Sequence, residues 1–321
     1  MPALVVSSAA LPIDLRPHLP QEITLRVPED GSFPRAALLA ELAGADALIS
    51  LLDVRVDDEL LAAAPRLRIV ANCAVGYDNV DVPAATRRGV VVTNTPDVLT
   101  DATADLAFAL LLAAARRLGE GEALIRSGAW QGWAPGQLLG QAIAGRTLGI
   151  IGLGRIGQAV ARRARGFDME ILYSGPREVA AAGPLGARRV PLEELLGAAD
   201  AVTLHCPLTP ETRHIIDAAA LARMKRTAIL VNTSRGPCVD EEALADALER
   251  GVIAGAGLDV FEREPEVHPR LLASRRAVLL PHLGSATLAA RGGMARLCAE
   301  AVSAVLAGRR PAHPVNPEVL S

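Results

Sequence analysis

Three polar residues that could bind an anion and transfer a proton follow apolar segments in the second half of the chain. They are Arg235, Glu264 and His282. In an open α/β sheet, ligands bind at the carboxyl ends of the strands, so residues that follow neighbouring strands can converge on one cleft. A guanidinium can pair with a carboxylate and polarise a carbonyl, and an imidazole held by a carboxylate can transfer a proton. Any one of these residues alone is more often structural, but together, and with a nicotinamide beside them, they would suit reversible hydride transfer to a small keto acid.

A glycine-rich turn lies upstream of these residues, with the sequence Gly152-Leu153-Gly154-Arg155-Ile156-Gly157. It follows the apolar segment 148–151 and opens the amphipathic segment 156–165. In such a unit the first glycine allows a tight turn, the second lets a pyrophosphate approach the backbone, and the third lets the helix pack closely on the strand. The helix N-terminus offers free N–H groups to the phosphates. The six residues predict a nicotinamide dinucleotide site; the alternative is an ordinary strand–glycine–helix turn.

The next predicted strand ends without the acid that usually binds the adenosine ribose. Ser174 and Arg177 lie at this tip instead. An arginine can chelate a phosphate, and no carboxylate is present to repel one. The tip therefore favours NADP over NAD, with NAD still possible. The alternative is that Arg177 is an ordinary solvated cation.

Composition excludes several classes of protein. The 321 residues carry a net charge of −3 with acids and bases interspersed, which argues against binding to nucleic acid or anionic membranes. Half of the residues are hydrophobic, but none of the apolar runs is long enough to span a membrane. The segment 1–6 has no basic region before its apolar residues, which argues against a secretory signal. The cysteines are widely spaced, so we predict reduced, buried thiols and no metal site in a cytoplasmic enzyme; they are Cys73, Cys206, Cys238 and Cys298.

Strand-like and helix-like segments alternate along the chain, which predicts parallel sheets. The predicted strands are 4–6, 47–52, 69–74, 90–93, 147–152, 170–173, 201–205, 229–232, 255–259 and 277–280, and the predicted helices are 35–42, 82–88, 101–118, 156–165 and 285–306. We predict two Rossmann-like, doubly wound domains joined by two long helices. Residues 1–99 with 286–321 would form a flavodoxin-like substrate domain, and residues 100–285 the dinucleotide-binding domain.

The motifs together resemble those of the D-2-hydroxyacid dehydrogenases, and the glyoxylate/hydroxypyruvate reductase branch is the most similar. The resemblance covers nearly the whole chain. The matching segments are 75–76, 79–81, 95–101, 152–158, 234–236, 257–260, 264–265 and 281–285. The resemblance implies reduction of glyoxylate or hydroxypyruvate to glycolate or D-glycerate by NAD(P)H.

The resemblance also implies roles for individual residues. Arg235, Glu264 and His282 would form the catalytic group, with His282 as proton donor. Backbone N–H groups near Val75 and Gly76 would bind the substrate carboxylate. Leu51 and Trp133 would complete the substrate contacts, and the expected cofactor contacts outside the glycine turn are Thr103, Ser174, Arg177, Pro207, Thr233, Ser234, Asp259, His282 and Gly284.

The two tryptophans, Trp130 and Trp133, lie in a loop rich in glycine and proline. In reductases of the resembled branch, a tryptophan of this loop reaches into the partner subunit, which implies a homodimer with Trp133 at the interface. The alternative is that the rings anchor their own loop.

Two alternative functions stay open at the level of sequence. One is a different D-2-hydroxyacid dehydrogenase, acting on 3-phosphoglycerate or on a bulkier 2-keto acid. The other is a non-catalytic, nucleotide-sensing scaffold of the corepressor type, since a fold does not by itself define a function.

Overall fold

The computed structural model describes residues 2–320, and the chain forms two compact units. One unit consists of Met1–Leu99 with Ala286–Ser321, and the other is Thr100–Ser285. The terminal residues Met1 and Ser321, which fall within the predicted bounds of the first domain, lie outside the described residues.

The secondary structure alternates strands and helices along most of the chain. The strands are β1 (Ala3–Ser7), β2 (Ile23–Arg26), β3 (Ala47–Ser50), β4 (Ile69–Asn72), β5 (Val91–Thr93), β6 (Thr147–Ile151), β7 (Glu170–Ser174), β8 (Ala187–Arg189), β9 (Ala201–Leu204), β10 (Ile229–Asn232), β11 (Gly255–Leu258) and β12 (Ala277–Leu279). The helices are α1 (Arg35–Leu42), α2 (Asp58–Ala63), α3 (Val82–Arg87), α4 (Thr100–Ala115), α5 (Leu118–Arg126), α6 (Arg155–Arg165), α7 (Ala182–Leu185), α8 (Leu192–Ala198), α9 (Ala218–Arg223), α10 (Glu241–Arg250), α11 (Pro269–Ala273) and α12 (Leu288–Leu306).

The first unit contains a five-stranded parallel sheet in the order β2-β1-β3-β4-β5. Strands β3 and β4 are wholly buried, as expected for apolar strands covered on both faces. The C-terminal segment of the chain packs on this sheet. The Asn316 side chain accepts a hydrogen bond from Val92 N (2.7 Å) and donates one to Val90 O (2.9 Å).

The second unit contains a seven-stranded parallel sheet in the order β12-β11-β10-β9-β6-β7-β8. This is the Rossmann order extended by one strand, and its strand order reverses between β6 and β9. The two parallel sheets confirm the predicted fold class. Strands β10, β11 and β12 are neighbours, so the residues that follow them start from the same edge of the sheet.

The structure differs from the sequence prediction in several elements. The sequence prediction gave no bounds for the strands β2 and β8 or for the helices α2, α5 and α7 to α11. The long helix predicted for 101–118 ends at Ala115, and α5 begins at Leu118 after Arg117, whose φ is +55°. The end of α4 is set by a distant segment: Gln141 N donates to Ala115 O (2.8 Å), and a Cβ at Gly140 would lie 2.3 Å from that same oxygen. Such a contact between remote residues leaves no periodic signal in the sequence.

The predicted state of the cysteines is confirmed, since all four are free and buried. Within residues 2–320, no helix combines the length and the apolar character that a membrane span requires.

Candidate active site

A histidine and a glutamate are paired at the edge of the second sheet. His282 Nδ1 lies 2.8 Å from Glu264 Oε2. A carboxylate can only accept, so Nδ1 carries the hydrogen of this bond and Nε2 is left for another partner. The other oxygen, Glu264 Oε1, accepts from Phe261 N (3.0 Å). The side chains of His282 and Glu264, which are predicted to lie together, therefore form a hydrogen bond in the structure.

Electrostatics keep this glutamate ionised. Burial alone raises the pKa of Glu264, but the hydrogen bond from His282 and the charges of His282 and Arg235 together lower its pKa below the usual range. The carboxylate thus stays negative across the neutral range. The hydrogen bond from Nδ1 to this carboxylate orients the ring and leaves Nε2 as the nitrogen that can exchange a proton with a substrate.

The backbone around His282 is held by a buried aspartate. Asp259 is 1% exposed, and its two oxygens accept from Leu283 N (2.6 Å) and Gly284 N (2.7 Å). The Thr103 hydroxyl donates to Gly284 O (3.1 Å). Desolvation raises the pKa of Asp259. Asp259 and Thr103 were expected to contact a cofactor; in the structure their polar atoms hold the turn that carries His282, which itself adopts a φ of +54°.

Arg235 is positioned by an asparagine and a glycine. Asn232, at the end of β10 and 1% exposed, donates to Arg235 O (2.8 Å) and accepts from both the backbone N–H and the hydroxyl of Ser234. A Cβ on Gly236 would lie 1.9 Å from the backbone of Phe261. Only glycine fits there, so the Arg235 loop packs directly against the segment that leads to Glu264.

The glycine turn has the features of a dinucleotide site. A Cβ on Gly152 (φ +93°) would lie 2.8 Å from Cys206 N, and a Cβ on Gly157 would lie 2.3 Å from Gly152 O. A Cβ on Gly154, in contrast, would meet no atom within 4 Å. The first and third glycines are therefore needed for packing, and the second leaves open space.

Polar groups around this turn complete the fit. No side chain caps α6 at Gly154, and the N–H groups of Ile156 and Gly157 have no acceptor among residues 2–320. The Thr233 hydroxyl is buried and also lacks a partner within that range. Unsatisfied donors at a helix N-terminus suit a pyrophosphate, and a buried hydroxyl without a partner suits the polar part of a cofactor. The residues present fit a nicotinamide dinucleotide.

The tip of β7 also lies beside the glycine turn. Ser174 is the last residue of the strand, and its carbonyl accepts from Gly152 N (2.9 Å). Arg177 is exposed and has no hydrogen-bond or ion-pair partner among the described residues. Pro207, also predicted to contact the cofactor, is exposed after β9, and its carbonyl accepts from the Thr212 hydroxyl (2.7 Å).

In the first unit, the loop after β4 presents backbone donors. Asn72 Nδ2 donates to Gly76 O (2.8 Å), and Asn94 Nδ2 donates to Val75 O (2.8 Å). The N–H groups of Val75 and Gly76 have no acceptor within residues 2–320. The predicted Leu51 directly follows β3, and its carbonyl accepts from Asn79 Nδ2 (3.2 Å).

Three asparagines were missed by sequence reasoning although they shape both loops. Asn72 and Asn232 are the last residues of β4 and β10, and Asn94 follows β5. Each of these asparagines is a single amide at the end of an apolar strand of three or four residues or directly after it. That placement is the sequence signal that could have identified them. The Asn72 and Asn232 side chains bond to carbonyls of the loop that follows their own strand, and Asn94 bonds to a carbonyl of the neighbouring loop, so these carbonyls have partners within the protein.

The order of the second sheet, its open glycine turn and the bonded His–Glu pair together define a nicotinamide-dependent oxidoreductase of the two-domain α/β class. Residues 108–284 match the family model described as "D-isomer specific 2-hydroxyacid dehydrogenase, NAD binding domain". The chain belongs to the D-isomer specific 2-hydroxyacid dehydrogenase family.

Relatives support this assignment over nearly the full length. The chain is 54% identical over 311 residues to a glyoxylate reductase of Thermococcus gammatolerans, covering 95% of this chain and 92% of the relative. A crystal structure of a Thermus thermophilus protein superposes with a TM-score of 0.91 at 45% identity, covering 97% of this chain and 99% of that one. The NADPH-dependent glyoxylate/hydroxypyruvate reductase of Sinorhizobium meliloti, solved with NADP and malonate, has a TM-score of 0.87 at 36% identity, with 98% and 97% covered.

Replacing Glu264 with Gln tests the charge of the pair. The amide oxygen can still accept from His282, but the negative charge that favours imidazolium is lost. We expect the alkaline fall of the reduction rate, and the acidic fall of the oxidation rate, to move toward lower pH, because a neutral amide no longer attracts positive charge beside the proton donor.

The measurement is kcat/KM against pH in both directions. Glu264 accepts hydrogen bonds from His282 and Phe261 N with its two oxygens, whereas Gln has a single oxygen to accept them. Part of any loss of rate would therefore come from a displaced ring, and the readout is the pH at which the rate falls, not the size of the rate. A profile that stays in place would show that Glu264 does not control the protonation of His282.

Proposed function

We propose that this protein is an NADPH-preferring reductase of glyoxylate and hydroxypyruvate, producing glycolate and D-glycerate. The observation that carries the proposal is the His282–Glu264 pair beside Arg235, at the edge of a sheet with an open dinucleotide turn. The relatives named above provide the substrate class, since one is a glyoxylate reductase and another a glyoxylate/hydroxypyruvate reductase.

In the proposed mechanism the reduced nicotinamide, when bound, supplies the hydride that reaches the carbonyl carbon. Arg235 pairs with the substrate carboxylate and polarises the carbonyl, so that the negative charge growing on its oxygen is stabilised. His282 donates the proton from Nε2 to that oxygen, and Glu264 holds the ring by Nδ1 and stabilises its charge. The family resemblance assigns the N–H groups of Val75 and Gly76, in the first unit, to the substrate carboxylate.

A panel of steady-state assays tests this proposal. The substrates are glyoxylate, hydroxypyruvate, 3-phosphohydroxypyruvate and a bulky 2-keto acid, each measured with NADPH and with NADH. We expect the highest kcat/KM for glyoxylate or hydroxypyruvate with NADPH. A higher value for one of the other keto acids would reassign the substrate within the family, and NADPH binding without any oxidation would favour the scaffold alternative.

We also propose a cytoplasmic homodimer. Free, buried cysteines are typical of a reducing compartment. Segment 118–139 exposes an unusual series of large apolar side chains, which are Leu118, Ile125, Trp130, Trp133 and Leu139. This segment borders a cavity of about 1250 Å³ that is lined by residues of α4, α5 and β12. Exposed apolar surface beside a cavity of this size is typical of an interface, and a second copy of the chain is the occupant that the family resemblance implies.

Trp133 is the more exposed of the two tryptophans, at 83% against 50% for Trp130. If it reaches the partner subunit, Trp133→Ala should change selectivity among the keto acids while cofactor affinity stays the same. Sedimentation velocity measures the oligomeric state, and the substrate panel measures selectivity. Trp130→Ala is the matched control. A monomeric wild-type protein, or an unchanged panel for Trp133→Ala, would leave Trp133 as a surface residue of its own loop.

A further inference from the structure

A second arginine lies at the tip of β7, where sequence reasoning considered only Arg177. Arg189 is the last residue of β8, the edge strand that was not predicted. In the parallel register Arg189 pairs with Tyr173, one residue before Ser174. Its Nη2 donates to Gly175 O at 2.9 Å. The guanidinium of Arg189 is thus fixed beside the loop that follows β7.

The charge of Arg189 is not neutralised by the protein. Within residues 2–320, no carboxylate forms an ion pair with it, whereas its neighbour Arg188 pairs with Glu194 (3.0 Å) and Glu170 (3.9 Å). A guanidinium has five N–H donors, and the bond to Gly175 uses one of them. Arg189 therefore presents free donors and a full positive charge at this tip.

The tip of this strand is where Rossmann sheets recognise the adenosine ribose. An acid there binds the 2′-hydroxyl, and an arginine nearby accommodates a 2′-phosphate. The loop after β7 has no acid at Ser174 and is closed at its base by Val179 N, which donates to the Tyr173 hydroxyl (3.2 Å). Arg177 is on this closed loop and Arg189 is bonded to it. The exposed Glu178 is the one acid of the loop.

We propose that Arg189 is a specificity-determining residue that binds the 2′-phosphate of NADPH together with Arg177. This inference rests on the proposed preference for NADPH and names the residue that produces it. Because the bond to Gly175 holds Arg189 in place before the cofactor arrives, less side-chain freedom is lost on binding than for the unpartnered Arg177. Arg189 should therefore contribute at least as much to discrimination as Arg177.

The test measures the dissociation constants of NADPH and NADH directly, by calorimetry, for wild type, Arg189→Ala, Arg177→Ala and Arg188→Ala. Charge-assisted hydrogen bonds to a phosphate correspond to about 10- to 100-fold in affinity. We expect Arg189→Ala to weaken NADPH by about that factor while NADH binding stays near wild type. Arg188→Ala is the matched control, because it removes an arginine from the same strand whose side chain points to the opposite face; its ratio of the two constants should be unchanged.

Binding of 2′,5′-ADP against 5′-AMP isolates the phosphate from the nicotinamide, and it should show the same selective loss in Arg189→Ala. If Arg189→Ala weakens NADPH and NADH equally, Arg189 only supports the loop, and the inference is wrong. If the ratio of the two constants does not change at all, it is also wrong. A wild-type protein that binds both cofactors equally would instead contradict the proposed NADPH preference, and the effect of Arg189→Ala on 2′,5′-ADP would still decide the role of Arg189.

Discussion

His282→Ala should lower kcat by about 10² to 10⁴, which is the usual contribution of a general acid–base residue. The variant removes the Nε2 proton donor and leaves Glu264 without its partner. Cofactor affinity should change little, because the dinucleotide turn at Gly152 is built by other contacts. Stopped-flow hydride transfer with NADPH measures the loss, and fluorescence titration measures cofactor binding.

His268→Ala is the matched control for this variant. His268 also pairs with a glutamate, with Nε2 lying 2.8 Å from Glu242 Oε2, but it precedes α11 and is not among the proposed catalytic residues. It should keep near-wild-type turnover. If His282→Ala did the same, His282 would not be the proton donor.

Arg235→Ala should reduce kcat/KM for the keto acid by about 10²- to 10³-fold, the cost of removing one donor from a developing oxyanion. Both constants should change, with KM rising and kcat falling, because a single guanidinium binds the carboxylate and polarises the carbonyl. Arg235→Lys should recover only part of the loss, since an ammonium cannot form the planar two-bond contact.

Arg162→Ala serves as the control for loss of charge, because Arg162 is exposed on α6 and is not part of the site. It should leave both constants near wild type. A loss in Arg235→Ala confined to cofactor binding would place Arg235 on the cofactor and contradict the proposed role.

Much of the fold was predictable because buried parallel strands are apolar on both faces. Strands such as Ile229–Asn232 are short apolar runs whose ends are visible in the sequence. The glycine turn was predictable for a similar reason: its residue spacing is required locally by the strand, the turn and the helix. The pairing of His282 with Glu264 followed from parallel strands, since residues after neighbouring strands start from one edge.

The edge strand β8 and the break between α4 and α5 could not be predicted in this way. The three residues of β8 include two exposed arginines, and an edge strand of this kind has neither the burial nor the alternation that marks a strand. The break at Arg117 depends on Gly140 and Gln141, which approach the helix end only in the folded chain.

By itself, the sequence determined the order of the elements, the dinucleotide turn and the identity of the three proposed catalytic side chains, because each depends on residue types within a short segment. Tertiary structure alone decided how these side chains are held. Asn232 and Asp259 form hydrogen bonds to the loops that carry Arg235 and His282. The lack of a Cβ at Gly236 lets the backbone of Phe261 pack against it, and Arg189 donates a hydrogen bond to Gly175 O. Each of these contacts joins segments whose proximity is set by packing of the whole sheet, and a hydrogen bond depends on distances of a few tenths of an ångström that no local pattern encodes.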